Sequence, residues 1–503
     1  MGVTIENSVW EPNPQTYILI FSACLLSILL PPYFSKNPRP PSSSSSPLFD
    51  LSSSPSFLTN FLLTFSLASV IGGLGSVFGE GAFYGSNKEE IVVSLCVGCF
   101  AACVFGALLG VLSDVIGQKK ICVLFCVLHI FVGVWRSVSV HPNAWIATIS
   151  LALASFIFMF SFETLVVKEH EKLGHRTNLL SDTFWLMEFY QSACFIGSQM
   201  FANFLVCGDA EKSIGYPSLA VALLSVICLI CIVRGWKESP TLSSIKEYKV
   251  AFSACILHDR RVWLLMCTQS CLQFSNSIFW ILWAPIIVAD GRGVHLGMLF
   301  PCWMGAKMLG STVVPWLLNG SSQSQEDWLV GTFLMSGLIF SIVAYDYQEV
   351  GVLVALFCLY HASVGLISPL LARLRTMYIP SDLRGGMISL SVAPAYAALL
   401  LVLIQLFDGM RTKNLSLLSS QGSYRRSLGN SSAMAFAAFG LFVAAGCMHM
   451  LKKSRATRNL SCAVHAIFLG RSIALAGREG KGVTDLNSRW SIGHPTFLMI
   501  NTL

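Results

Sequence analysis

The chain has 503 residues, of which 54% are hydrophobic and only 12% charged, about half the charge of an average soluble protein. That balance excludes a water-soluble enzyme, a disordered chain and a disulfide scaffold, and it leaves a polytopic membrane protein. The net charge of +7, from 33 basic and 26 acidic residues, does not point to nucleic acid, because the basic residues gather in short loops and in the tail.

A bilayer core asks for about 20 apolar residues per helix, with the backbone's hydrogen bonds closed inside the helix. The first such run, residues 16–33, stands apart, because Pro31-Pro32 and a Pro/Ser tract from Pro38 to Pro55 follow it. Residues 1–55 therefore read as a leading membrane helix with a flexible linker. A cleaved signal peptide fits less well, since Glu6 and Glu11 stand where a basic n-region belongs. Twelve further runs follow at roughly 57–79, 91–112, 121–140, 144–166, 184–206, 216–234, 261–288, 294–318, 328–345, 350–371, 386–407 and 433–451. A basic connector at 235–260 separates a six-helix lobe at 56–234 from another at 261–451, and 452–503 form a cytoplasmic tail. Six spans, a connector and six spans are the layout of a two-lobed transporter.

Lysine and arginine counts put the connector, Lys119, Lys120, Arg373, Arg375, Arg384 and the tail in the cytoplasm, and residues 1–15 outside. Two loops run against that count: 319–327 is acidic, and 408–432 is basic on the predicted outer side. The 17 cysteines lie mostly within apolar runs and read as small hydrophobes. Neither the Cys228/Cys231 pair nor the charged run from Glu169 to His175 has the ligand set of a metal site. With no nucleophile–base set or phosphate loop either, the chain reads as a non-enzyme without metal or cofactor.

The sharpest motif is Gly110-Val-Leu-Ser-Asp114-Val-Ile-Gly117-Gln-Lys119-Lys120, between the second and third spans of the first lobe. Gly110 permits close helix approach, Gly117 a turn, and Asp114 a bond to a helix end or a basic partner. The motif resembles the gating signature of the major facilitator superfamily. Arg373-Leu-Arg375 with Ile379-Pro380-Ser381-Asp382-Leu383-Arg384-Gly385 resembles the corresponding loop of the second lobe. Within that superfamily, Phe162-Glu163, Glu169-His170, Asp259-Arg260-Arg261-Val262, Thr268-Gln269 and Leu282-Trp283-Ala-Pro285 resemble the molybdate-anion transporter branch. The resemblance covers about residues 57–451. It implies an all-α facilitator fold of two six-helix lobes plus a leading helix, and transmembrane movement of molybdate. Two departures stand out: the first lobe span is nearly all small or apolar, and Gln273 stands where relatives tend to carry a glutamate.

Polar side chains within spans are the candidates for a site. Gln269, Gln273 and Asn276 share one helical face, Glu188 heads a second polar stripe, and Lys307 lies deep in the eighth lobe span. These five are the candidate substrate-binding residues. Lys307 has three readings: an anion ligand or coupling group, a salt bridge to an acid such as Glu188, or a snorkelling side chain nearer a span end than its position suggests. The gating candidates are Gly110, Asp114, Gly117, Lys119, Lys120, Arg373 and Arg384. The expected function is a monomeric small-oxyanion carrier, molybdate first, working by alternating access in the plasma membrane rather than an internal one. A carrier of another small solute such as a sugar, and a non-transporting receptor or scaffold, remain alternatives.

Overall fold

A computed structural model describes residues 10–29, 56–81, 88–138, 144–172, 177–206, 215–236, 245–288, 292–320, 323–345, 349–415 and 431–457. The chain divides into Met1–His449 and Met450–Leu503; only residues 450–457 of the second part are described, so the tail reading lies mostly outside the described residues. Each of the thirteen apolar runs coincides with a helix over its described residues, save the first two residues of the run at 294–318 and the last residue of those at 261–288 and 328–345. The helices are α1 (Pro14–Leu29), α2 (Ser56–Gly81), α3 (Lys88–Ala101) continued by α4 (Ala107–Ile116), α5 (Gln118–Val138), α6 (Ala144–Lys172), α7 (Thr177–Val206) and α8 (Gly215–Gly235). After α9 (Ile245–His258) come α10 (Arg260–Ile287), α11 (Leu296–Gly320), α12 (Gln325–Ala344), α13 (Val350–Tyr378), α14 (Arg384–Leu415) and α15 (Ser431–Thr457). Residues 82–87, 416–430 and the whole Pro38–Pro55 linker tract lie outside the described residues.

Ten of these helices are long and apolar enough to cross a bilayer. The longer helices that fall short are α7 and α11, which carry Glu188 and Lys307. Their spans are diluted by the polar groups that make them candidates for a site.

α3 and α4 form one continuous span, joined by a π-helical turn at Ala102–Gly106. Beside that turn, a Cβ on Gly106 would meet the Phe156 ring at 2.8 Å, so the small residue lets α6 approach. The first six spans close over a core of Phe61, Phe65, Phe125, Phe156, Phe160 and Phe162. The second six pack around Phe279, Trp303, Phe340, Phe357 and Tyr360, with Phe279 edge-on to Trp303 at 5.4 Å.

α1 docks on the second half, against α11. Tyr17 Oη donates to Met298 O at 2.5 Å, Ser27 Oγ to Thr312 O at 3.3 Å, and Trp316 Nε1 to Ser27 O at 2.8 Å. Both chains ascend together through these contacts, so α1 and α11 are parallel. An out-to-in leading helix beside an out-to-in eighth lobe span requires that polarity.

Two features differ from the sequence reading. The connector read only as polar and basic contains the helix α9, which exposes Lys246 and Lys249 and buries Tyr248. The loop that breaks the charge rule near 319–327 ends in a helix start: Ser324 caps α12 by accepting from Asp327 N, and Glu326 and Asp327 occupy its first turn. Acidic groups favour a helix N-terminus, so this local term competes with the topological one.

Candidate functional site

A cavity of about 540 Å³ lies between the two sets of six helices, and all five candidate binding residues, Lys307, Gln269, Gln273, Asn276 and Glu188, line it. Lys307 Nζ stands 2.5 Å from Glu188 Oε1, joining α11 to α7. The salt-bridge reading of Lys307 thus describes this conformation. Both groups remain on the cavity wall, 15% and 13% exposed.

The α10 stripe does not converge on a single point. Gln269 accepts from Arg375 Nη1 at 2.6 Å, while Gln273 stands one turn further along the cavity wall. At 1.5 Å rise per residue, Gln269 and Asn276 are about 10 Å apart along the helix axis, too far for one small oxyanion to touch both. Gln269 belongs to the end of the cavity predicted to be cytoplasmic, while Asn276 and Trp280 lie further up the wall.

That end is closed by groups the sequence reading did not assemble. Glu163 of α6 accepts from Arg375 Nε at 2.9 Å and Nη2 at 2.5 Å, and from Arg384 Nη2 at 2.5 Å. Arg384 is fully buried and also donates to Ala372 O at 3.1 Å. The paired, two-point geometry suits a planar guanidinium and fixes its orientation. Arg373, the predicted gating residue, lies half-buried on α13 two residues before Arg375, which does line the cavity. Glu163 and Arg375 are 212 residues apart. The signal that could have flagged Glu163 is a carboxylate inside the apolar run 144–166.

The gating signature forms a second contact between the halves. Asp114 is buried and accepts from Gly386 N at 2.7 Å and Gly385 N at 3.2 Å, the first amides of α14. Gln118 Nε2 donates to it at 3.0 Å, Lys168 Nζ lies at 3.5 Å and Tyr248 Oη at 3.4 Å. A carboxylate at a helix N-terminus is held both by amide donors and by the helix dipole. Burial first, then the Asp114 charge, raise the Tyr248 phenol above its ordinary range, so it remains a donor. Gly110 has no room for a side chain: a Cβ there would meet Ser389 Oγ at 1.8 Å and Ser389 Cβ at 2.2 Å. Gly117 adopts φ 115° and turns α4 into α5. Lys119 Nζ donates to Val233 O at 3.0 Å and Trp236 O at 2.6 Å, capping α8, while Lys120 is exposed.

The two ion-pair sets are organised by half. Carboxylates Glu163 and Glu188 come from the first six spans, and cations Lys307, Arg375 and Arg384 from the second six. The cavity also has aromatic walls, among them Phe65, Phe158, Trp280 and Phe300, and two buried histidines, His129 and His361. Among the described residues no group of three or more His, Cys, Asp or Glu could hold a metal ion.

Comparison with known proteins places this architecture. A family described as sugar transporters with 12 transmembrane spans matches residues 32–393. Proteins named molybdate-anion transporter are similar: those of Xenopus laevis and Xenopus tropicalis are each 27% identical over 303 residues, 58% of this chain. The match spans 65% of the length of both Xenopus proteins. The Danio rerio protein of that name is 23% identical over 343 residues, covering 61% of this chain and 69% of its own. In fold, the chain is similar to a proton:xylose symporter of the major facilitator superfamily, with TM-score 0.58 and 12% identity over 76% of this chain and 95% of the symporter. It is also similar to a human organic anion transporter, with TM-score 0.55 and 14% identity over 77% of this chain and all of that one. The chain belongs to the family of twelve-span transporters of the major facilitator type, as a multi-pass membrane protein.

Proposed function

We propose that the protein carries a small oxyanion, molybdate first, across the plasma membrane by alternating access as a monomer and without enzymatic activity. The observation that carries this reading is the charge on the cavity wall. Lys307 and Arg375 line a chamber between the halves, and amides from α10 stand beside them. Molybdate is a dianion at neutral pH, so a site within the bilayer must replace its lost hydration with cations and donors. The names of the similar vertebrate proteins support the same substrate. Lys307, Gln273, Asn276 and Glu188 form the proposed substrate wall. Gln269 couples it to the Glu163–Arg375–Arg384 gate, and Gly110, Asp114, Gly117, Lys119 and Lys120 form the hinge.

Glu163 and Glu188 occupy these cations when the cavity holds no anion. A substrate that takes either cation weakens a bond between the halves, which connects binding to opening. Tracer molybdate uptake by proteoliposomes containing the purified protein tests the assignment. Uptake above protein-free vesicles, abolished by excess cold molybdate, supports it, and none in either direction of loading refutes it.

One observation favours a neutral solute instead. The cavity is far larger than a tetraoxoanion and has aromatic faces, Trp280 and Phe300, on which a sugar ring could stack. Competition by hexoses or pentoses, with no competition by tungstate, would select that reading.

A further inference from the structure

His361 of α13 lines the cavity, yet it is only 1% exposed, and neither ring nitrogen has a hydrogen-bond partner among the described residues. Its neighbours are rings: Phe279 at 4.6 Å, Tyr360 at 5.4 Å, Trp280 at 5.5 Å and Trp303 at 6.1 Å between centroids. A neutral imidazole carries one donor and one acceptor, and leaving both unmet in an aromatic shell is unfavourable. An apolar side chain would carry no such cost, so burial among rings gives no reason for a histidine here.

The backbone sets this ring close to Lys307. A Cβ on Gly365 would stand 2.0 Å from Lys307 O, and one on Gly310 would stand 1.9 Å from Ala362 O. α11 and α13 therefore touch backbone to backbone at Ala362 and Gly365, within the turn that follows His361. The ring stands in its aromatic shell and lines the same cavity as Lys307, whose present partner, Glu188, comes from the opposite half.

We propose that His361 is a second, neutral donor of the anion seat at Lys307, giving its N–H to one oxygen while Lys307 holds another. The proposal rests on the reading of the cavity as an anion site. A tetrahedral dianion such as molybdate or tungstate offers several acceptor oxygens, so it uses a cation and a fixed donor together. Glu188 occupies only the cation's side of the seat, and the imidazole is left unmet until substrate arrives. His361 is then a positioning and specificity residue, because a ligand without a second acceptor leaves its N–H buried and unpaired.

The test is calorimetric binding of molybdate and tungstate to the purified full-length protein in nanodiscs. His361→Phe keeps the ring and removes the donor, whereas His361→Gln and His361→Asn keep a neutral N–H near the Nε2 and Nδ1 positions. Binding by His361→Phe should weaken on the order of 10- to 100-fold, the worth of one hydrogen bond to a charged acceptor. Either Gln or Asn should restore most of the affinity, and the one that does identifies the donating nitrogen. Thermal unfolding without anion accompanies each variant; because the phenyl ring is larger than the imidazole, a destabilised His361→Phe leaves the comparison of Gln with Asn to carry the test. If the parent binds and His361→Phe binds equally, His361 is not part of the seat. If Gln and Asn both fall as far as Phe, the role is packing and the proposal fails. A parent that binds neither anion overturns the cavity reading itself, and this proposal with it.

Discussion

Replacing Gly110 with alanine tests whether the contact between α4 and α14 holds the halves together. The added Cβ would lie 2.2 Å from Ser389 Cβ and 2.8 Å from Gly385 O. Comfortable carbon contacts begin at about 3.5 Å, so α14 must retreat by about 1 Å. The Ser389 hydroxyl can rotate away, but its Cβ and the Gly385 carbonyl cannot. A retreat of that size takes the 2.7 and 3.2 Å bonds from Gly386 and Gly385 to Asp114 to or past the normal limit. Hydrogen bonds to a charged group contribute about 1.5–3 kcal/mol each, so losing most of two costs the closed state roughly 3 kcal/mol. The state in which the halves part has no such clash, so the equilibrium between them moves by on the order of 100-fold. Hydrogen exchange at the Gly385 and Gly386 amides reads this shift, because the Asp114 acceptor is chemically intact in the variant. Protection should fall by about two orders of magnitude, and net transport should fall with it while anion affinity changes less. Unchanged protection would show that close packing at Gly110 does not set the equilibrium.

Other variants address the charged wall and the gate. Lys307→Gln should weaken molybdate binding by on the order of 2–4 kcal/mol, and Lys307→Arg by less; calorimetry with the parent's affinity retained would rule out a ligand role. Glu188→Gln leaves Lys307 unpaired, so the empty protein should unfold at lower temperature, yet molybdate should raise its melting temperature by more than it raises the parent's. An equal molybdate shift in both proteins would show that Glu188 does not compete with substrate. Glu163→Gln strips the carboxylate from two buried guanidinium groups and should cost about 3–5 kcal/mol in the closed state, read as faster exchange along the start of α14. Tags at Asn7 and at the C-terminus should label on opposite faces of sealed vesicles, and labelling on the same face would remove one span from the topology.

The positions of the thirteen helices follow from the sequence alone. A bilayer offers no partner to an open backbone, so every long apolar run must close its own hydrogen bonds in a helix. The Gly110–Lys120 motif was legible as a motif, and the positive φ of Gly117 is local, but Gly110 and Asp114 act through contacts with α14 that the sequence does not show. Polar groups within apolar spans marked Lys307, Glu188 and the α10 stripe, and the fold gathers all five around one cavity.

Pairing was not legible. Nothing in the order of residues says that Glu163 meets Arg375 and Arg384, that Tyr248 from the connector reaches Asp114, or that α1 lies against α11 rather than beside the lobe that follows it. An apolar run states only that a helix is buried in lipid or protein, not which helix covers it. The same limit hid His361, which in sequence is one histidine in an apolar span. Only the approach of α11 to α13 at Gly310 and Gly365 places its unpaired ring beside the deep lysine. Helix formation is decided within a span by solvent and backbone chemistry; the site is decided by contacts between spans, where one buried charge or small residue selects its partner from across the fold.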